Sequence, residues 1–108
     1  MSAFDDFRTS VLDGAGDLAK TLLNGSVKEA RADAEAFVKK SATKIQKWTR
    51  QVADGELTKD EFASLIRGQK DLAEMNALTQ AGIAAVKVNK FRREMTGLVV
   101  KSALDILL

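Results

Sequence analysis

The chain contains no proline and only 7 glycines in 108 residues. A β-rich fold needs a turn about every 8–12 residues, usually built from Gly, Pro, Asn or Asp. This sequence does not supply those turns, and long helices do without them. Hydrophobic residues make up 45% of the chain, which is ordinary for a globular protein and too high for a disordered one. The length fits one domain, residues 1–108, with room for one core.

Helix starts are legible from cap chemistry, in which a Ser or Thr and an acid three residues on satisfy the orphan amides of a first turn. Ser2 with Asp5 is one such pair, Ser26 with Glu29 a second, and Thr58 with Glu61 a third. Around the third, Leu57 and Phe62 also stand at the two positions of a hydrophobic staple. Asn24-Gly25 and Asp54-Gly55 precede the last two starts and offer positive φ where a helix must stop.

Between these marks apolar residues recur at steps of three and four, the helical spacing. Phe4, Phe7, Val11, Ala15, Leu18 and Leu22 form one stripe. Val27, Ala30, Ala34, Phe37, Ile45, Trp48 and Val52 form another, broken in polarity by Ser41. From Thr58 the stripe starts as Phe62, Leu65, Leu72 and Met75, then changes phase beyond Gly82 to Val88, Phe91, Met95, Leu98 and Ser102. Such a slip means a break near Ala81-Gly82 or a helix turning its apolar face to a new neighbour. With no proline or cap residue to mark a restart, one long helix is the expectation.

The expected fold is therefore all-α, with helices over about 3–23, 26–53 and 58–107, the last kinked if anywhere near 81–82. The second and third form a long antiparallel hairpin, of coiled-coil type, with its tip at Asp54 to Leu57. An unbroken third helix would run to about 75 Å. Two bare helices cannot bury all these apolar positions, so a bundle must form, either by the first helix folding back or by two hairpins pairing. Dimerisation is favoured by the last helix. Its stripe at Phe91, Met95 and Leu98 is widened by Val99, Val100, Leu104 and Leu107, and one neighbour covers only about 100° of a helix. These seven residues are the expected self-association interface.

Chemistry is constrained by what is missing. There is no cysteine, histidine or tyrosine, which removes thiol nucleophiles, disulfides and the commonest general base and metal ligand. Carboxylates at helical spacing (Asp13/Asp17, Glu29/Asp33, Asp71/Glu74) lack the histidine that helical di-metal sites place three residues after a glutamate. Gly14-Ala15-Gly16 lacks the further glycines and preceding strand of a phosphate loop. No catalytic, cofactor or metal site is expected, and the chain reads as a non-enzyme. Residues 54–62 do resemble the second half of an EF-hand calcium loop, with Gly55 at its sixth position and Glu61 at its twelfth. The first and third positions fall on Arg50 and Val52, which carry no oxygen ligand, so the segment reads as a capped helix–helix turn.

Two basic clusters remain. Lys39, Lys40, Lys44, Lys47 and Arg50 form a run without an acid, with Trp48 in its midst, and Lys87, Lys90, Arg92 and Arg93 form the other. On phosphate, such a face with an aromatic beside it binds nucleic acid; the plainer reading is a solvated helix surface, its charge partly absorbed across the hairpin by Asp60, Glu61, Asp71 and Glu74. The net charge of +2 adds no argument for nucleic acid. The start of the chain has no basic region followed by an apolar one, as a signal peptide would, and no run of about 18 uncharged apolar residues spans a membrane. A cytoplasmic location is expected. The function these features suggest is a self-associating helical interaction protein, most simply a homodimer, that binds an unidentified protein partner through its helix faces. Alternatives are a nucleic-acid-binding accessory protein using the basic clusters, and a peripheral lipid-surface protein using the apolar stretch from Met95 to Leu108.

Overall fold

The computed structural model describes residues 2–69 and 75–108. It is an all-α bundle, and no strand occurs among the described residues. Helix α1 spans Ala3–Leu22, and its first turn is capped by Ser2, whose side chain accepts from the Asp5 amide at 3.2 Å. Asp5 and Asp6 at its start and Lys20 at its end complement the helix dipole. The chain then reverses through three consecutive left-handed residues, Asn24, Gly25 and Ser26 (φ 53°, 121° and 51°). Here the structure corrects the sequence. Ser26 makes no side-chain cap, because an N-cap aims its oxygen at the first amides from extended backbone, and this turn holds Ser26 left-handed.

Helix α2 spans Val27–Ala53. Its 27 residues give about 40 Å of rise, and the molecule's longest extent is 42 Å. It closes in a Schellman motif, where the Glu56 amide donates to the Gln51 carbonyl at 2.8 Å and the Gly55 amide to Val52 at 3.1 Å. Gly55, at φ 78°, occupies the left-handed position of that motif. Helix α3, Lys59–Arg67, starts with the expected capping box: Glu61 N donates to Thr58 Oγ1 at 3.1 Å and Thr58 N to Glu61 Oε1 at 2.8 Å.

The long third helix does not form. Helix α3 stops at Gly68, and the chain is next described at Met75, a buried residue with φ 42°. The expected stripe residue Leu72 and the acids Asp71 and Glu74 lie outside the described residues. A short helix α4, Asn76–Gln80, ends in a second Schellman motif, with Ile83 N on the Leu78 carbonyl at 3.3 Å, Gly82 N on Thr79 at 3.1 Å, and Gly82 at φ 81°. The phase slip near Ala81-Gly82 is thus a true break. Helix α5 then runs over Ala85–Ser102 and passes into a π-helical turn, Ala103–Leu107.

These breaks let the chain fold on itself in place of extending to about 75 Å. Helix α1 packs along both α2 and α5; α3 packs on α5 and α2; α4 bridges α2 and α5; and the terminal π turn lies against α1 and α2. Phe7, Phe37, Phe62 and Phe91, one each from α1, α2, α3 and α5, are fully buried in one cluster with Val11, Ile45, Ile66 and Met95. Each such side chain contributes about 1.5–3 kcal/mol by leaving water. The stripes read from α1 and α2 point inward at every position, Trp48 and Val52 being half-buried against the core.

The same packing changes the standing of the expected self-association face. Phe91, Met95 and Val99 are closed inside the single chain. Leu98, Val100, Leu104 and Leu107 are half-buried and packed on the core. Leu98 sits over Gly14, where an added Cβ would lie 2.5 Å from Leu98 Cδ2, so the missing side chain of Gly14 is what lets α1 approach α5. Beside it Ser10 Oγ and Ser102 Oγ are 3.1 Å apart. One neighbour cannot cover both stripes of the last helix; here α1 and α3 both pack on it, and Val100 is left half-buried at the groove between α3 and α5.

Candidate interaction surfaces

Three surface regions carry distinctive side-chain sets. The first is the outer face of α2. Lys39, Lys40, Lys44, Lys47 and Arg50 are all exposed, and at 100° per residue they share an arc of about 140° with Ala36 near its middle. Trp48 stands at the arc's edge, packed against the core. Of the acids expected to offset this face, the two described, Asp60 and Glu61, are exposed at the start of α3, and Glu61 accepts the Thr58 amide.

The second region is a groove of about 730 Å³ between α1 and α2, walled by Arg8, Leu12, Asp13, Val27, Arg31 and Glu35. Charges of both signs line it, and two ion pairs form there, with Lys28 also on the wall. Arg8 donates to Glu35 across the groove, and Arg31 donates to Asp13 Oδ1 at 3.1 Å and to the Leu12 carbonyl at 3.3 Å. The hydrogen bond from Arg8 holds the Glu35 carboxyl below its ordinary pKa, helped by the charges of Arg8, Lys39 and Arg31, while burial acts the other way.

The third region is a groove of about 780 Å³ between α3 and α5. Ala63, Thr96, Gly97 and Val100 line it, together with four cations, Arg67, Arg92, Arg93 and Lys101, and with no acid among the described residues. Arg92 also donates to Asn89 Oδ1 at 2.9 Å. A Cβ built on Gly97 meets nothing within 4 Å, so the groove is open there. Of the second basic cluster, Arg92 and Arg93 line this groove, while Lys87 and Lys90 are exposed on α5 outside it. The two basic clusters thus lie on the outward faces of separate helices, and no residue of α2 lines the α3–α5 groove.

Two buried polar groups have surroundings that the sequence does not reveal. Asp33, expected only as half of a carboxylate pair with Glu29, is 8% exposed and points from α2 to the start of α4. Its Oδ1 accepts the Ala77 amide at 2.8 Å and its Oδ2 the Leu78 amide at 3.0 Å. Met75, at the N-cap position of α4, makes no side-chain cap, so Asp33 serves that end from 44 residues away. The signal for it was an acid beside the Ala30–Ala34–Phe37 stripe. Ser41 Oγ is buried with no hydrogen-bond partner among the described residues.

Among the described residues no group of three or more Asp or Glu side chains is placed to hold a metal ion, and no helix is long and apolar enough to cross a membrane. The apolar face of the stretch from Met95 onward turns inward, leaving Leu108 as its exposed large side chain. No family model, curated protein or solved structure matches this chain.

Proposed function

We propose that this chain is a non-enzymatic interaction protein that binds another macromolecule through helix faces, with the α3–α5 groove as its contact surface. One observation carries the reading: among the described residues a partly apolar groove is lined by four cations and no acid, whereas the α1–α2 groove is lined by charges of both signs. Surfaces that bind partners combine an apolar centre with a polar rim and favour Arg. Self-association is the weaker part of the earlier expectation, since Phe91, Met95 and Val99 are fully buried within the single chain and Leu98, Val100, Leu104 and Leu107 are packed on its core. We therefore expect a compact monomer in sedimentation at micromolar concentration, and a stable dimer there would restore the homodimer reading.

A photo-crosslinking residue placed at Gly97 tests the groove directly, because a side chain there meets open space. The expected result, in the protein's native cells, is an adduct at Gly97 and none at exposed Thr21. Loss of contrast between the two positions would remove the reading.

The cationic arc of α2 supports a second reading, nucleic-acid binding through Lys39, Lys40, Lys44, Lys47 and Arg50. Binding would then weaken steeply with salt through counterion release, and replacing Lys40, Lys44 and Lys47 together with Gln would reduce the log–log salt slope by about 2–3. A crosslinker at Ala36 would report nuclease-sensitive adducts. If DNA and RNA both fail to be retained at low salt, this reading falls.

A further inference from the structure

We propose that the α3–α5 groove receives an acidic amphipathic helix of another protein, laid along α5 with its apolar face on the groove floor and its carboxylates against the cationic rim. The proposal rests on the groove reading above and adds the chemistry and shape of the occupant.

Charge supplies the first argument. Arg67 on α3 and Arg93 and Lys101 on α5 are exposed around the groove, with half-buried Arg92 beside them. Glu94 is exposed on α5 but does not line the groove. A partner carrying carboxylates meets complementary potential along the rim, and a basic partner meets like charge.

The second argument is a line on α5. Val86, Arg93 and Val100 are seven residues apart, so they share one line along the helix, with Gly97 close beside it. Val86 is 79% exposed, the most exposed large hydrophobic side chain among the described residues, and Val100 is half-buried in the groove. The line therefore reads apolar, basic, apolar, over about 21 Å, the length of a partner helix of roughly four turns. Gly97 permits close approach near its centre, and helices with small residues at the contact pack at the short end of the 8–10 Å range. Apolar anchors at steps of three and four are the mode by which amphipathic helices occupy such grooves.

Two other occupants fit less well. A nucleic-acid backbone satisfies the cations but leaves Val86 and Val100 without an apolar partner. A second copy of this chain offers exposed acids such as Asp6, Asp13 and Asp17 on α1, yet the exposed large hydrophobics of the described residues are Val86 and Leu108, so that acidic face has no apolar stripe to lay into the groove.

The probe is a fluorescent synthetic peptide of about 18 residues, the span of a helix somewhat longer than the line, with Leu at helical steps of three and four and Glu on both flanks. Its controls are the same peptide with Lys for Glu and a scrambled Glu version. The full-length protein should bind the Glu peptide about tenfold more tightly than either control, and the preference should shrink with salt. Combined Arg67→Glu, Arg93→Glu and Lys101→Glu, all at exposed sites, should weaken it about tenfold with the helical circular dichroism unchanged. Val86→Asn should weaken it as well, which a purely electrostatic attraction would not show. Equal binding of the Glu and Lys peptides, or no effect of the triple reversal, would overturn the proposal. If that happens while Gly97 still crosslinks in cells, the groove is a contact surface for a different occupant: an adduct of twice the chain mass identifies a second copy, and a nuclease-sensitive one identifies nucleic acid. Failure of the crosslink itself removes the groove reading too.

Discussion

The two halves of this chain are both helical, but they are held in shape by different kinds of information. In residues 3–53 each helix stays on one apolar stripe from end to end, and its boundaries are set by neighbours in sequence, Ser2 at the start of α1 and the Schellman motif at Gly55 after α2. In residues 58–107 the apolar pattern changes phase, and among the described residues α3 ends at Arg67 and α4 at Gln80 before α5 begins. What holds the middle piece, α4, comes from the other half of the molecule, through Asp33. A long helix is specified locally, whereas a short one needs tertiary partners, because a single turn fixes several dihedrals for few hydrogen bonds.

Asp33→Ala should be the most damaging change at any helix start. It removes an ionised acceptor from two buried or half-buried amides, and hydrogen bonds to charged groups contribute about 1.5–3 kcal/mol each, less what water recovers. A loss of about 2–3 kcal/mol in urea unfolding is expected, with the Ala77 and Leu78 amides losing hydrogen-exchange protection first. Asp33→Asn, which keeps one acceptor oxygen, should fall between the two. If Asp33→Ala costs no more than a surface substitution, the contrast between the halves is wrong, and α4 is held by Leu78 packing alone.

Thr58→Ala tests the local counterpart. It breaks one half of the capping box, and N-cap replacements of this kind cost about 1 kcal/mol. The loss should be felt in α3 and should leave exchange at Ala77 and Leu78 unchanged. Equal loss of protection in α3 and α4 would mean that the second half unfolds as one unit and that its breaks carry no independence.

This contrast also explains what could be read from the sequence. The all-α fold, the extents of α1 and α2, the tip at Asp54 to Leu57 and its capping box were all legible, because each depends on residues a few positions apart. Ser26 misled, since the cap motif says nothing of the left-handed backbone that the Asn24–Ser26 reversal imposes. The long third helix misled in the same way, because Gly82 is read as a stop only when the following residue has a neighbour to pack on. The width of the apolar face at Phe91 to Leu107 was correctly seen, but which surface covers it depends on Gly14 admitting Leu98, and no periodicity encodes that. The α3–α5 groove was half legible: Arg92 and Arg93 were marked as basic, while Arg67 and Lys101 join them only through the packing of α3 on α5.

Ser41 offers a prediction of opposite sign. It stands in the α2 stripe between Phe37 and Ile45 with its hydroxyl buried and unpartnered among the described residues. Burying a hydroxyl without a hydrogen bond costs about 1–3 kcal/mol on mutational scales, and alanine has the better helix propensity. Ser41→Ala should therefore stabilise the protein, by about 1 kcal/mol once the small lost volume is counted. A destabilisation of similar size would show that the hydroxyl finds a partner in solution.

The smallest effect expected is the pH dependence of the α1–α2 groove, and its sign follows from Glu35. Arg8 hydrogen-bonds the Glu35 carboxylate and, with the charges of Arg8, Lys39 and Arg31, keeps its pKa in the folded chain below the ordinary 4.5. A carboxyl whose pKa is lowered on folding contributes stability that is complete above the unfolded value and is lost as pH falls through the folded one. Stability should thus be flat in this respect at neutral pH and decline below about 4.5, more in the parent chain than in Glu35→Gln, where the titrating group is gone. Both side chains are nearly half exposed, 43% for Arg8 and 46% for Glu35, so water and salt screen the pair and the difference should shrink further at high ionic strength. Arg8→Gln should return the Glu35 titration, followed by NMR at its side-chain carboxyl carbon, toward the ordinary value. Identical Glu35 titration curves in the parent chain and in Arg8→Gln would mean that the contact across the groove is not populated in solution, and the difference between an ion-paired groove on α1–α2 and a cation-lined one on α3–α5 would then lose its first half.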